Sequence, residues 1–195
     1  MPLDEARLRV AVENLLVALG EDPARPELAG TPARVAATYA EMFSGVGVDA
    51  AAVLAEDLMT LPAPATEVVA LRGIPFRSVC EHHLLPFTGR AAVAYLPGEH
   101  IAGLGRIARA VEALASRPQI QERLTEQVAS AVEKGLGARG VLVIVSASHA
   151  CLWARGTRTT GANAVTLASR GALTEPVRRA ETMSLLGAAP GVDDD

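Results

Sequence analysis

Apolar residues recur at three- and four-residue steps near the start of the chain. Leu8, Val12, Leu15, Leu16 and Leu19 share one face and predict an amphipathic helix over residues 4–19. Gly20 ends it, and Pro23, Pro26 and Gly30 mark a loop. Thr31-Pro32 predicts a second helix start, with Thr31 as N-cap and Pro32 in the first turn. That helix should run through Val35, Tyr39 and Met42 to about Gly45. Residues 46–65 read as irregular, with a short helix around residues 49–57. The period then shortens to two. Residues 67–71 and 75–79 predict one interrupted strand or a pair, and residues 90–96 a further strand with Val93 and Tyr95 on one face and Ala92 and Ala94 on the other. Two helices follow. The first spans residues 104–116, with Ile107, Ala110, Val111 and Leu114 inward. The second starts at Pro118 and runs to about Gly135, with Ile120, Leu124, Val128 and Val132 inward. Residues 140–153 predict one long strand, 163–168 another, and 175–186 a last helix or strand extension.

This order is α+β, with mostly antiparallel strands. It divides into an N-terminal helical segment over residues 1–45, a main domain over 46–187, and a small, acidic tail over 188–195 expected to be disordered. Half of the residues are hydrophobic and aromatics make up 3%, so Ala, Val and Leu must build the core and base-stacking platforms are not expected. The formal net charge of −4 argues against a nucleic-acid partner, and the longest apolar runs are too short for a membrane span. Met1-Pro2-Leu3-Asp4-Glu5 lacks a signal-peptide pattern, so a cytoplasmic location is expected. Lys134 is the only lysine; nearly all positive charge is arginine.

Chemistry gathers in two clusters. Cys80-Glu81-His82-His83 follows a predicted strand, and His149-Ala150-Cys151 lies within the long one. A turn with C-x-x-H spacing can present Cys80 and His83 to one metal. Residues two apart on a strand face the same side, so His149 and Cys151 can look into one site. Cys80, His83 and Cys151 form a Cys₂His set with an open fourth position, the arrangement of catalytic zinc. His82 and His149 would then move protons. Spacing alone also permits a structural four-ligand site completed by His82 or His149.

Arg34, Arg106, Arg109, Arg155 and Arg158 suit phosphate oxygens. Singly, each also reads as part of a solvated face. Gln121-Glu122, near a helix start, reads either as polar surface or as a guanine-binding pair, since a carboxylate accepts from the adjacent N1–H and 2-amino donors of guanine.

Four blocks occur in fixed order: Cys80-Glu81-His82-His83-Leu84-Leu85-Pro86, Val93-Ala94-Tyr95-Leu96-Pro97, Arg117-Pro118-Gln119-Ile120-Gln121-Glu122-Arg123-Leu124, and His149-Ala150-Cys151 with Arg155-Gly156. Together they resemble the GTP cyclohydrolase I family over residues 31–173. The resemblance implies the tunnelling fold, an antiparallel ββααββ unit that joins edge to edge into an oligomeric barrel, in this family a homodecamer with active sites between subunits. It implies Zn²⁺ held by Cys80, His83 and Cys151. It implies catalytic roles for His82, which would protonate the purine's imidazole ring, and for His149. Glu122 with Gln121 would read guanine, and Arg34, Arg106, Arg109 and Arg155 would hold the triphosphate. The implied reaction opens GTP at C8, releases formate and recloses to 7,8-dihydroneopterin triphosphate, feeding folate, pterin or deazapurine synthesis. A paralogue with another product, a nitrile reductase of the same fold, and a non-catalytic zinc-stabilised binding protein are the alternatives. Two departures stand out. The family's Gly-Leu-Ser-Lys reads Gly103-Leu104-Gly105-Arg106 here, and Ala162 and Ala164 replace small hydroxyl residues.

Overall fold

The structure, a computed structural model, describes residues 3–63, 65–156 and 158–187. The tail over 188–195 lies outside the described residues. The chain forms two compact units, Met1–Ser44 and Gly45–Asp195.

The first unit is a pair of helices, α1 (Glu5–Ala18) and α2 (Thr31–Met42). Asp4 caps α1 by accepting from the Arg7 N–H at 3.0 Å. Thr31, expected as the N-cap of α2, is instead its first helical residue. Gly30 takes the cap position, and the Thr31 hydroxyl accepts from Arg34 Nη2 at 3.0 Å. Pro32 fits the first turn because the N–H it lacks has no partner there.

The second unit opens with α3 (Ala50–Ala55), capped by Asp49. Two short strands, β1 (Met59–Thr60) and β4 (His100–Ile101), pair with each other. The main sheet contains β2 (Val69–Cys80), β3 (Pro86–Leu96), β5 (Pro118–Gln119), β6 (Gly140–His149) and β7 (Asn163–Gly171), in the order β5-β2-β3-β6-β7. The helices α4 (Leu104–Ala115) and α5 (Gln121–Leu136) lie between β3 and β6 in sequence, a single helical turn α6 (Ala150–Trp153) follows β6, and α7 (Pro176–Leu186) closes the described chain. Stripped of the short pieces, the order is ββααββ, antiparallel except where β5 runs parallel to β2.

The interrupted strand is one strand with a bulge. Its register with β3 shifts between Leu71 and Ile74, where Gly73 adopts φ +68°, a conformation a side chain would strain.

The two faces of the sheet bury different things. Ala91, Val93 and Tyr95 point into the larger core with Val141, Val143 and Val145, under Leu54 of α3, Ile107, Val111 and Leu114 of α4 and Leu124, Val128 and Val132 of α5. Each Val, Leu or Ile side chain among them contributes roughly 1.5–3 kcal/mol on full burial. Ala92 and Ala94 face the other way, with Leu142, Ile144, Leu173 and Leu186 of α7. The alternation expected for residues 90–96 is therefore observed.

Two expectations fail at element ends. Pro118 does not start α5. Pro118 and Gln119 pair in parallel with Val79 and Cys80, and the helix begins at Gln121. Proline still accepts in a ladder through its carbonyl, and here Pro118 occupies an edge. Residues 140–153 are not one strand either, because β6 ends at His149. The last segment, left open between helix and strand, is helical.

Candidate metal and active site

Cys80 is the last residue of β2. Its N–H donates to Leu85 O at 2.8 Å, and its carbonyl accepts from Leu84 N–H at 2.8 Å and His83 N–H at 3.4 Å. This tight turn, with Leu84 at φ +53°, folds His83 back over Cys80. Cys80 Sγ lies 3.9 Å from His83 Nδ1. Across the sheet, Phe87 pairs with His149, so the end of β6 stands beside the start of β3 and the turn preceding it. The helical turn α6 then carries Cys151. The ligand atoms of Cys80, His83 and Cys151 all lie within 4.8 Å of one another.

Two thiols and one imidazole at this separation suit a soft or borderline divalent cation such as zinc. Burial, and then the neighbouring Cys80, push the Cys151 thiol up. A divalent cation beside the Cys151 sulfur would favour its thiolate and reverse that balance. The donor set therefore fits a metal ion.

His149 does not share this cluster in the way strand alternation implies. A helical turn advances a side chain by about 100° per residue rather than flipping it by 180°. Cys151 turns to Cys80, while His149 Nε2 meets Gln121 Oε1 at 2.7 Å. The His149 ring stacks on Phe87, centroids 4.6 Å apart and planes 3° from parallel. Burial holds the imidazole below its ordinary range, and Glu122 acts against this.

Gln121, expected beside Glu122 on the substrate side, is buried. Its amide nitrogen donates to Val145 O at 3.1 Å, Ala164 O at 2.9 Å and Thr166 Oγ1 at 3.2 Å. Its amide is thus committed to the protein and to His149. Glu122, next along, is exposed in the first turn of α5.

His82 is the outward residue of the turn. Its side chain is 65% exposed, with Nε2 3.9 Å from Glu81 Oε1 and Nδ1 4.0 Å from Cys80 Sγ. Glu81 forms an ion pair with Arg123, whose Nε donates to Gln119 Oε1 at 3.1 Å. The hydrogen bond from Arg123 holds the Glu81 carboxyl below the usual range. The Glu81 N–H donates to Gln119 O at 3.1 Å, so β5 braces the turn. The sequence reading did not single out this brace, nor Phe87, Thr125 and Thr166. Partners some forty residues apart leave no local signal.

The arginines divide. Arg155 Nη1 approaches His83 Nε2 at 2.7 Å, at the cluster itself. Arg106 is turned to an acidic pair, Glu56 and Asp57, with Nη2 2.5 Å from Asp57 Oδ2. Arg109 is exposed on the same helix. Arg34 is exposed on α2 of the first unit.

The sequence pattern of the family described as GTP cyclohydrolase I matches residues 8–187. The chain belongs to the GTP cyclohydrolase I family. It is similar to GTP cyclohydrolase 1 of Leifsonia xyli subsp. xyli, 58% identical over 184 residues that cover 94% of this chain and 96% of that one. GTP cyclohydrolase 1 of Rhodopirellula baltica is 49% identical over 192 residues, 96% of this chain and 81% of that one. A crystal structure of the archaeosine synthase QueF-Like in the apo form overlays at a TM-score of 0.46 and 18% identity, over 55% of this chain and 96% of that one. Membership of the GTP cyclohydrolase I family makes this chain an enzyme of the hydrolase class. No helix among the described residues is long and apolar enough to cross a membrane.

Proposed function

We propose that this chain is a zinc-dependent GTP cyclohydrolase I. It opens GTP hydrolytically at C8, releases formate and recloses the product to 7,8-dihydroneopterin triphosphate, at the entry to folate, pterin or deazapurine synthesis. The observation that carries this reading is the convergence of Cys80, His83 and Cys151 within 4.8 Å, in a chain of this family. Zn²⁺ held by these three residues would supply Lewis-acid activation of water near neutral pH.

The chain's own residues do the rest. His82, exposed at the turn beside the Glu81 carboxylate, is placed to give a proton to the purine's imidazole ring. His149, held flat on Phe87, moves a proton as the ring opens and closes. Glu122, exposed at the start of α5, accepts from the N1–H and 2-amino groups of guanine. Arg155, Arg109, Arg106 and Arg34 supply cationic forks for the triphosphate. The protein works in the cytoplasm as a homo-oligomer, a decamer by family. In support of assembly, β7 is an edge strand and Trp153, beside the cluster in sequence, is 48% exposed.

The test is incubation of metal-analysed protein with GTP, with and without a zinc chelator, assaying formate and the fluorescent oxidised pterin. Chelator-sensitive formation of both is expected. Formate without pterin would assign an early-stopping paralogue. Neither product from zinc-loaded protein would overturn the proposal.

A further inference from the structure

The buried hydrogen bonds around Gln121 have only one consistent direction. Val145 O and Ala164 O are carbonyls and can only accept, so the Gln121 amide nitrogen faces them. Its oxygen therefore faces His149, 2.7 Å from Nε2. An amide oxygen cannot donate, so Nε2 must carry a hydrogen. Two threonines hold Gln121, Thr166 directly at the side-chain amide and Thr125 through Thr166. Thr125 Oγ1 donates its single proton to the backbone carbonyl of Gln121 at 2.8 Å. At 2.6 Å from it, Thr166 Oγ1 must then be the donor of that pair, leaving its own lone pairs toward Gln121 Nε2 at 3.2 Å. Gln121 and Thr125 are 2% and 1% exposed, so water does not compete for these bonds. Phe87, stacked at 4.6 Å, fixes the plane of the ring.

We propose that Gln121, locked by Thr125 and Thr166, is a positioning residue that holds His149 with hydrogen on Nε2 and thereby makes Nδ1 the nitrogen that gives and takes the proton in the reaction. This rests on the reading of His149 as a proton-transfer residue. It also assigns Gln121 away from guanine, since every polar atom of its amide is spent on the protein. Thr166 and Ala164 stand on β7 and Gln121 on α5, so the edge strand and the helix together set the histidine. An imidazole free to exchange tautomers would present the wrong nitrogen for part of the time. The fixed acceptor removes that loss.

The experiment uses the zinc-loaded full-length chain labelled with ¹⁵N,¹³C-histidine. Magic-angle-spinning spectra at neutral pH report which nitrogen of His149 is protonated, assigned by difference from a His149→Ala sample. Hydrogen on Nε2 with bare Nδ1 is expected. Hydrogen on Nδ1 with bare Nε2 would overturn the proposal, and this outcome needs no variant of Gln121 to fold. Gln121→Met should release the tautomer and lower kcat by about 10–100-fold, with KM for GTP held within about threefold. Thr166→Val should move both readouts in the same direction by less. A Gln121→Met protein with wild-type kcat and a raised KM would overturn positioning in favour of guanine contact. Full turnover by His149→Ala, with the Nε2 hydrogen in place in the parent, would overturn the proton-transfer reading instead, so the two failures are told apart.

Discussion

Arg155 Nη1 lies 2.7 Å from Nε2 of His83, while the other nitrogen of that ring, Nδ1, faces Cys80 Sγ at 3.9 Å. A guanidinium only donates, so His83 accepts through a bare Nε2. Were a metal held through Nδ1, Nε2 would carry the ring proton and would no longer accept from Arg155, so metal loading is expected to free Arg155 for a phosphate. Zinc-loaded His82→Ala should bind GTP about tenfold or more tightly than the same protein after chelation, the scale of one charged hydrogen bond. Calorimetry measures it. Arg155→Ala should abolish the difference, and a difference that survives would break the link.

Cys151 and His82 should separate metal binding from proton transfer. Cys151→Ser removes one of the two thiolates among the three donors and should lower zinc occupancy, read by metal analysis after dialysis. His82→Ala leaves the three donors intact. It should keep zinc while formate release falls by about 10²–10⁴-fold. Unchanged zinc content in Cys151→Ser would remove that residue from the donor set, and a fully active His82→Ala would end its acid role.

Arg106 is occupied by Glu56 and Asp57, the last at φ +54°. In the proposed role of Arg106, a triphosphate competes with these carboxylates for the fork. The pair is largely exposed, 58% and 85%, so its hold is of the weak, solvent-screened surface kind. Glu56→Gln with Asp57→Asn should lower KM for GTP by about 1.4–5-fold at constant kcat. Steady-state kinetics at low and high salt would show it, with the effect shrinking as salt rises.

Glu175 caps α7, accepting from Arg178 N–H at 2.9 Å and Val177 N–H at 3.1 Å. These bonds, first that from Arg178, hold its carboxyl below the ordinary range. A depressed folded value means stability that is present above the unfolded value and lost as pH falls through the folded one. Glu175→Ala should therefore lower Tm at pH 7, and the difference from the parent should vanish on acidification below the ordinary carboxylate range. A constant difference would show that the charge is not responsible.

Gly89 pairs with Ala147, two residues along from the Phe87–His149 pair. A Cβ there would lie 2.0 Å from Ser146 O and 2.7 Å from Ala147 Cα, backbone atoms that cannot step aside alone. Gly89→Ala should destabilise by about 1–3 kcal/mol, measured by denaturant melts. It should also lower kcat, because β6 ends at His149.

What the sequence determined by itself was whatever repeats along the chain or sits within a few residues. Leu8 to Leu19 and Ile107 to Leu114 carry a 3.6-residue period, Ala92 to Tyr95 a period of two, and those helices and that strand are where the periods put them. Cys80 and His83 come together because a turn three residues long joins them. Tertiary structure decided the ends of elements and the partners of side chains. Pro118 became a strand edge because β2 offered it a parallel partner at Val79. The predicted long strand stopped at His149, and only the resulting helical turn swings Cys151 to Cys80 and leaves His149 to Gln121. Gln121 and Glu122, adjacent in sequence, parted because the first residue of α5 points into the sheet and the second into solvent. Period sets which face is apolar; register and hydrogen-bond partners forty residues away set what each polar atom can do.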